Sequence, residues 1–373
     1  MGGKIRTPFI LRRPVLFLRG LLLNRDKPHL EQLAGVADPE DFVWRILPHA
    51  ARTFSACIVM LPYRVALASS VAYLYCRILD TCEDLIPDLQ ERDIALREFG
   101  RRLTRDGGLP EAGPRIDPAL AQDSRDASHI LLVNKCELVD RMFVTLAPKI
   151  REIICDLLRE MSAGMRWSSQ TFADQQGALQ SEEQVSRYCY GVLGTTMIFS
   201  ARLFRMRKSG DTEITDEARS AAVSVGEFLQ LANITRDIEK DLRRGIAYHP
   251  RLARSVTQDP RDDPALQETV LEVRTAFLDR ALALAPCYRS LINELPLGGF
   301  SLHRASAVLM LLFTEGYYQR CAARCGRRQA QGRSSAFATI LRAFPAFWSE
   351  RASDRILNRC EQKLLELRRE DGA

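Results

Sequence analysis

The chain has 373 residues, of which 46% are hydrophobic and 27% are charged, and its formal net charge is +6. This composition is ordinary for a globular protein with a large core, and the mild, dispersed charge excludes a typical nucleic-acid-binding protein. The ten cysteines form no Cys-x-x-Cys pair. They therefore predict neither a zinc site nor a disulfide framework, and they indicate a reduced, cytoplasmic setting.

Residues 1–40 are predicted to be a basic N-terminal extension. The first thirty residues hold seven Lys or Arg against one Asp, interleaved with apolar runs. This pattern is typical of an amphipathic helix on an anionic membrane surface, and equally of a tail or a helix packed on the domain. Arg12, Arg13 and Arg19 interrupt the apolar runs, so the segment is a poor secretory signal. The sequence has no run of about 18 apolar residues, so it predicts no spanning helix. A cytoplasmic protein is the expectation, with peripheral contact with the inner face of a membrane as one alternative.

The rest of the chain reads as consecutive helices. Apolar residues recur at three- and four-residue spacing. This spacing predicts helices over 41–60, 64–86, 89–104, 126–146, 148–170, 182–206, 216–241, 264–293, 300–325 and 335–368. Segments rich in Gly, Pro and Asp separate them, and no alternating pattern predicts a sheet. The sequence thus predicts one all-α bundle domain over 41–330 and a C-terminal helical extension over 331–373. Bundle cores are where facing helices build ligand sites.

An acidic cluster follows the apolar run 71–75. It holds Asp80, Glu83 and Asp84 behind Arg77. The two aspartates are four residues apart, so they project from one face of a helix. Carboxylates beside an apolar face are costly to bury unless a cation neutralises them. Mg²⁺ suits such a site because it takes oxygen ligands and bridges carboxylates to phosphates, which the arginine would also bind.

A second cluster repeats the pattern after the apolar run 228–234. Asp237 and Asp241 are again four residues apart, behind Arg236. One helical acidic cluster is most often a solvated face. Two clusters with the same spacing, each behind an arginine, favour a metal–diphosphate site built from two facing helices.

Two amides precede the second cluster on the same helix. Gln230 and Asn233 lie two turns and one turn before Asp237. Their side chains either bind phosphate or metal-bound water, or satisfy buried backbone groups.

Several separate motifs resemble those of the squalene/phytoene synthases, the head-to-head isoprenoid synthases with the all-α class I terpenoid synthase fold. The resemblance extends from about residue 42 to residue 326. The motifs are the segments 52–54 (RTF), 73–84 (YLYCRILDTCED), 161–165 (MSAGM), 188–194 (YCYGVLG) and 230–237 (QLANITRD), followed by Asp241.

The resemblance implies roles for individual residues. The metal ligands would be Asp80, Glu83, Asp84, Asp237 and Asp241. Substrate diphosphate would be bound with the help of Arg52, Arg77, Arg236, Phe54, Gln230 and Asn233. The aromatic residues Tyr73 and Tyr188 would stabilise carbocations and assist proton transfer, with Tyr190 as a weaker candidate. For any one of these aromatic residues taken alone, core packing is the more common explanation.

The implied reaction joins two molecules of farnesyl diphosphate through presqualene diphosphate to squalene or a related C30 hydrocarbon. Mg²⁺ is the implied cofactor, with NADPH where the last cation is reduced. The alternatives are a non-reducing phytoene or dehydrosqualene synthase, a terpene cyclase on the same fold, and a non-catalytic scaffold. The surviving carboxylates disfavour the scaffold.

Two departures from the family pattern bear on this choice. Lys240 precedes Asp241, where the family usually has Glu-Asp, and Glu239 is displaced by one position. The following segment 242–250 (LRRGIAYHP) resembles the phytoene synthase ending, whereas the first motif has the squalene synthase form. The sequence therefore leaves reductive and non-reductive quenching both open.

Overall fold

The computed structural model describes residues 8–23, 28–51, 54–106, 108–109, 112–295, 297, 301–327 and 336–369. Across these residues the secondary structure is helical, and an isolated bridge between Ala178 and Ala247 is the β-type pairing present. The predicted all-α class is confirmed. The chain divides into two compact units, Met1–Arg159 and Glu160–Ala373. The predicted domain bounds at residues 40 and 330 stay predictions.

The first unit contains the helices up to the boundary, which falls within α9. They are α1 (Phe9–Leu22), α2 (Leu30–Ala34), α3 (Pro39–Ala51), α4 (Phe54–Met60), α5 (Tyr63–Leu85), α6 (Leu89–Arg101), α7 (Ser124–Asn134), α8 (Cys136–Phe143) and α9 (Pro148–Asp174).

The second unit contains the remaining helices. They are α10 (Glu182–Cys189), α11 (Thr195–Ser209), α12 (Asp216–Arg243), α13 (Pro264–Glu294), α14 (Leu302–Arg324), α15 (Ala336–Ala343), α16 (Pro345–Trp348) and α17 (Glu350–Arg369).

Helix α5 runs through the core of the first unit. It follows Pro62, which cannot continue a preceding helix, and it ends at Leu85, because Pro87 disfavours helical backbone at Ile86. By length and composition α5 could span a membrane, with a mean hydropathy of 1.2, but 78% of that window is buried inside the protein. Such burial is typical of a core helix. Its apolar side chains therefore hold the helix in place and fix which side remains accessible.

A polar triad anchors the other side of α5. The Tyr75 hydroxyl, which is fully buried, donates to Asp140 Oδ1 at 2.8 Å. Arg102 Nη2 donates to Asp140 Oδ2 at 2.6 Å. Breaking a buried pair of this kind leaves an uncompensated charge, which typically costs about 3–5 kcal/mol.

Close backbone contacts set the centre of the second unit. A Cβ on Gly164 would lie 2.7 Å from the Cα of Gly191, and one on Gly226 would lie 2.5 Å from the Cα of Gly194. Gly191 and Gly194 belong to a π-helical turn, Tyr190–Gly194, between α10 and α11. The glycines of the mid-chain motifs therefore serve close packing of this turn against α9 and α12.

Three predicted helices are interrupted at residues that the structure describes. The prediction over 126–146 becomes α7 and α8, because Lys135 leaves helical geometry with φ −121° and ψ 24°. The prediction over 182–206 contains the π-helical turn. The prediction over 335–368 divides into α15, α16 and α17, with an extended residue at Ser349. Apolar periodicity continues through such breaks because the same side of the chain still faces the core.

Candidate active site

The accessible side of α5 carries the first motif. Between Val65 and Leu85 the residues that are not buried are Ser69, Tyr73, Arg77, Asp80, Glu83 and Asp84. Apart from Glu83, they follow one another at three- and four-residue spacing and form one stripe along the helix. A core helix that is buried everywhere except along a polar stripe presents that stripe to a ligand or to water.

Arg77 organises this stripe. Its Nη1 lies 3.1 Å from Asp80 Oδ2, and its Nη2 donates to the Tyr73 hydroxyl at 3.2 Å. Its Nε is buried and has no hydrogen-bond partner. An arginine with an unfilled buried donor is suited to an anionic ligand such as a phosphate.

The Asp80 carboxyl is difficult to ionise. Its side chain is 24% exposed. Burial raises the pKa of Asp80 to about 6, while Arg77 opposes the rise and Asp84 adds to it. A divalent cation would relieve both the burial penalty and the repulsion between the two carboxylates.

Two aromatic residues lie beside the stripe. The Phe54 and Tyr73 rings are 5.4 Å apart, and the Tyr73 hydroxyl donates to the Ala50 carbonyl at 3.4 Å. Tyr73 therefore contacts Arg77 directly, and Phe54 lies against Tyr73. The predicted phosphate ligand Arg52 lies outside the described residues.

The second motif forms a corresponding stripe on α12. Gln230, Asn233, Asp237 and Asp241 follow one another at three- and four-residue spacing, and Gln230 is only 6% exposed. Asn233 Nδ2 donates to Gln230 Oε1 at 3.1 Å. The predicted amides therefore bind each other at the start of the stripe.

Gln230 connects this stripe to a group of three aromatic residues, of which the sequence predicted one, Tyr188, as functional. Gln230 Nε2 donates to the Tyr188 hydroxyl at 3.4 Å, and that hydroxyl lies 3.3 Å from the Tyr248 hydroxyl. Phe172 completes the group, with its ring 6.2 Å from Tyr188 and 5.9 Å from Tyr248. The weaker candidate Tyr190 instead donates to Glu160 Oε2 at 2.8 Å, away from these contacts.

Arg236 and Asp237 form a bidentate pair. Arg236 Nε donates to Asp237 Oδ1 at 3.0 Å, and Nη2 donates to Oδ2 at 2.7 Å. Both side chains are about one third exposed, so the pair is only partly desolvated. A metal ion and a phosphate could therefore separate these partners, each taking one of them.

Glu239 has a structural role. Arg274, a buried residue of α13, binds the Glu239 carboxylate with Nη2 and the Thr235 carbonyl with Nε at 3.0 Å. Glu239 is thus committed to packing α12 against α13. The carboxylates of the stripe itself are those of Asp237 and Asp241.

The two clusters have the chemistry that a magnesium–diphosphate site requires. Within the described residues, no group of three or more His, Cys, Asp or Glu side chains could hold a metal ion. Mg²⁺ usually keeps several waters and takes one or two carboxylates plus substrate phosphates, so each cluster matches that donor set. The clusters lie in different units, and their predicted face-to-face arrangement stays a prediction.

Three residues near the second motif were not predicted as functional. Tyr248 lies in the segment 242–250, which resembles a family motif, and this resemblance was the feature that could have identified it as functional. Phe172 and Arg274 carried none, because an aromatic residue or an arginine in an amphipathic helix is ordinary. Their partners are set by helix packing, which a single sequence does not reveal.

The chain is similar in sequence to proteins of one known family. The sequence profile of the squalene/phytoene synthase family matches residues 47–331. Squalene synthase of Schizosaccharomyces pombe is 28% identical over 211 residues, which are 56% of this chain and 43% of that protein. Squalene synthase ERG9 of Gibberella zeae is 28% identical over 233 residues, 61% of this chain and 48% of that protein. The matched region thus spans less than half the length of these curated relatives.

Solved structures resemble the fold. The structure of TcSQS with the ligand BPH1237 has a TM-score of 0.66 and 18% sequence identity, covering 89% of this chain and 97% of that chain. TcSQS with the ligand E5700 has a TM-score of 0.61 and 16% sequence identity, covering 88% of this chain and 99% of that chain. This likeness confirms the predicted helical terpenoid synthase fold. Together with the profile match over most of the chain, it shows that the chain belongs to the squalene/phytoene synthase family.

Proposed function

We propose that this protein is a prenyltransferase that joins two allylic prenyl diphosphates head to head. The substrate is farnesyl diphosphate, the first product is presqualene diphosphate, and the final product is squalene or a related C30 hydrocarbon. The observation that carries the proposal is the stripe of α5. A helix buried on its other sides exposes Arg77, Asp80 and Asp84, within the part of the chain that the family profile matches.

The arginines and carboxylates have complementary tasks in this proposal. Arg77, with its unfilled Nε, binds phosphate oxygens of one substrate, and Arg236 does the same for the other after leaving Asp237. Asp80, Glu83 and Asp84 would hold magnesium at the first cluster, and Asp237 and Asp241 would hold it at the second. The chemistry that magnesium would supply there is positive charge that stabilises the departing diphosphate.

The aromatic residues stabilise the allylic cation that remains when the diphosphate leaves. Tyr73 and Phe54 beside the first cluster, and Tyr188 beside the second, present ring faces that stabilise an allylic cation. The hydrogen bonds from Asn233 through Gln230 to Tyr188 orient the Tyr188 hydroxyl. An oriented phenol can relay the proton that is lost when the cyclopropane closes, taking it on the hydroxyl oxygen while passing its own proton to the released diphosphate.

The last cation is quenched in one of two ways. NADPH would supply a hydride that gives squalene, and the first motif favours this outcome. Proton loss gives dehydrosqualene, or phytoene from geranylgeranyl diphosphate. The phytoene-like segment after α12 and Lys240 favour this second candidate.

Product analysis tests the proposal. The protein would be incubated with Mg²⁺ and either farnesyl or geranylgeranyl diphosphate, with and without NADPH, and the hydrocarbons identified by gas chromatography and mass spectrometry. We expect a C30 product from farnesyl diphosphate. A C15 hydrocarbon alone would identify a terpene cyclase, and unchanged substrate would favour a non-catalytic relative.

A further inference from the structure

Helix α1 has an unusual outward face. Its exposed residues are all apolar: Ile10, Leu11, Pro14, Val15, Leu18 and Leu22. Five of them are 53–78% exposed. A surface helix normally directs polar residues to water, so a wholly apolar outer face indicates that something covers it.

The inner face of α1 is held firmly. A Cβ on Gly20 would lie 2.5 Å from Ser55 Oγ, so α1 packs closely on α4 at this position. The Phe9 ring lies 5.0 Å from Trp44 and 5.2 Å from Tyr63. The helix therefore cannot turn its apolar outer face inward without losing these contacts.

Basic residues flank the apolar face. Arg12 Nη1 lies 3.5 Å from Glu40 Oε1, and Arg13 Nη2 donates to the Leu61 carbonyl at 3.0 Å. Arg13 Nε is buried without a hydrogen-bond partner. Both arginines line a groove of about 480 Å³ beside the first turn of α1. Glu40 of α3 also lines the groove, whereas α1 itself contains no acidic residue.

We propose that α1 docks this protein on an anionic phospholipid bilayer. The apolar face enters the boundary between headgroups and acyl chains, and the groove at Arg12 and Arg13 receives a lipid phosphate. In-plane amphipathic helices combine these two features, apolar burial and attraction to anionic headgroups.

A second copy of the chain fits this face less well. Fourteen residues of helix are about 21 Å long, so the outward face covers roughly 200 Å². A stable protein interface needs about 800 Å² on each partner. A symmetric pairing would also bring the arginines of two copies together. The small, basic-flanked apolar face suits a lipid surface better.

Vesicle binding tests the proposal without depending on catalysis. The probes are vesicles of phosphatidylcholine alone and of phosphatidylcholine with phosphatidylglycerol, and binding is read by flotation at low salt. The test variant combines Leu11→Ser, Val15→Ser and Leu18→Ser. The control combines Ile94→Ser, Leu120→Ser and Leu271→Ser, which remove exposed apolar side chains elsewhere.

We expect the full chain to bind the anionic vesicles, the test variant to bind roughly a hundredfold more weakly, and the control to bind normally. Arg13→Gln should weaken binding to the anionic vesicles roughly fivefold, with an equivalent Arg97→Gln variant unaffected. Equal unfolding temperatures show that the variants are folded. Failure of the full chain to bind, or normal binding by the triple α1 variant, overturns the proposal.

Insertion can also be seen directly. In Val15→Trp, the added fluorescence should be quenched by brominated lipids, whereas in Leu271→Trp it should not. Absence of quenching at position 15 contradicts insertion. A dimer in sedimentation that the triple α1 variant disrupts, without vesicle binding, would instead assign the face to a second copy and overturn the proposal.

Discussion

Asp80 has two properties that oppose each other. It lies on an otherwise buried helix, which penalises its charge, and the proposed chemistry requires that charge. Burial raises its pKa to about 6. Functional sites often keep such unfavourable groups because a ligand compensates them.

Replacing one aspartate in either cluster should abolish turnover. Asp80→Asn and Asp237→Asn each remove a metal-binding charge with little change in volume, and we expect at least about a hundredfold loss of kcat/KM in each. Asp93→Asn is the matched control, because Asp93 is a partly exposed aspartate that pairs with Arg97. Steady-state assays with farnesyl diphosphate provide the measurement. Full activity in either cluster variant would refute the paired-cluster interpretation.

The same aspartate makes the stability of the metal-free protein depend on pH. The ordinary Asp pKa is 3.8, and the folded-state value is about 6. Because the folded value is higher, ionised Asp80 opposes folding, and protonation stabilises the folded chain as the pH falls from above 6 to below 4. The difference corresponds to at most about 3 kcal/mol.

Asp80→Asn should therefore be more stable than the unmodified chain at pH 7, despite losing the contact with Arg77. Its advantage should shrink as the pH approaches 4. Urea unfolding in the presence of a chelator at both pH values measures this. A variant that is less stable at pH 7 would show that the Arg77 contact outweighs the burial penalty.

The close packing of helices in the second unit can be tested by measuring the free energy of unfolding of glycine variants. A Cβ on Gly226 would lie 2.5 Å from backbone atoms of Gly194, which cannot move aside as a flexible side chain could. We expect Gly226→Ala to lower the free energy of unfolding by about 1–3 kcal/mol. Gly316→Ala, where the nearest atom is Arg320 Nη1 at 3.6 Å, should instead raise it by about 0.5–1 kcal/mol. Equal effects would mean that the close packing at Gly226 is not a constraint.

Lys240 provides a test of the second cluster. It stands where the family usually has glutamate, and Glu239 is committed to Arg274. Lys240→Glu should therefore lower the Mg²⁺ concentration for half-maximal activity several-fold, since a carboxylate replaces a repelling cation. Arg244→Glu makes the same change of charge beyond the end of α12 and should have a smaller effect. Identical shifts in the two variants would mean that net charge, not position, is responsible.

Sequence patterns predicted α5 and α12 to within a few residues because both helices combine strong apolar periodicity with clear end signals. The same patterns missed the break at Lys135 and the π-helical turn at Tyr190–Gly194. Both are local departures that leave the apolar face continuous. At Tyr190–Gly194 the backbone geometry is set by tertiary packing, through the glycine contacts with α9 and α12.

For the site, the motif residues were predictable and their partners were not. The stripe of Tyr73, Arg77, Asp80 and Asp84 follows from spacing alone. The pairing of Arg236 with Asp237, the commitment of Glu239 to Arg274, and the contact of Tyr188 with Tyr248 depend on rotamers and on helices distant in sequence.

The whole protein is expected to bring two prenyl diphosphates to coupling at their C1 atoms. Closing the cyclopropane expels one C1 proton. The rearranged cation then either gains a hydride from NADPH or loses a second C1 proton. The hydrogen count at the joined carbons therefore records both the coupling and the quench.

Incubation with farnesyl diphosphate carrying two deuterium atoms at C1 tests this claim most directly. With Mg²⁺ and NADPH, we predict a C30 hydrocarbon that retains three of the four deuterium atoms supplied by two substrates. Retention of two would identify the non-reducing enzyme and still support head-to-head coupling. A C15 product that keeps both of its own deuterium atoms, with no C30 hydrocarbon or cyclopropyl intermediate, would contradict the account.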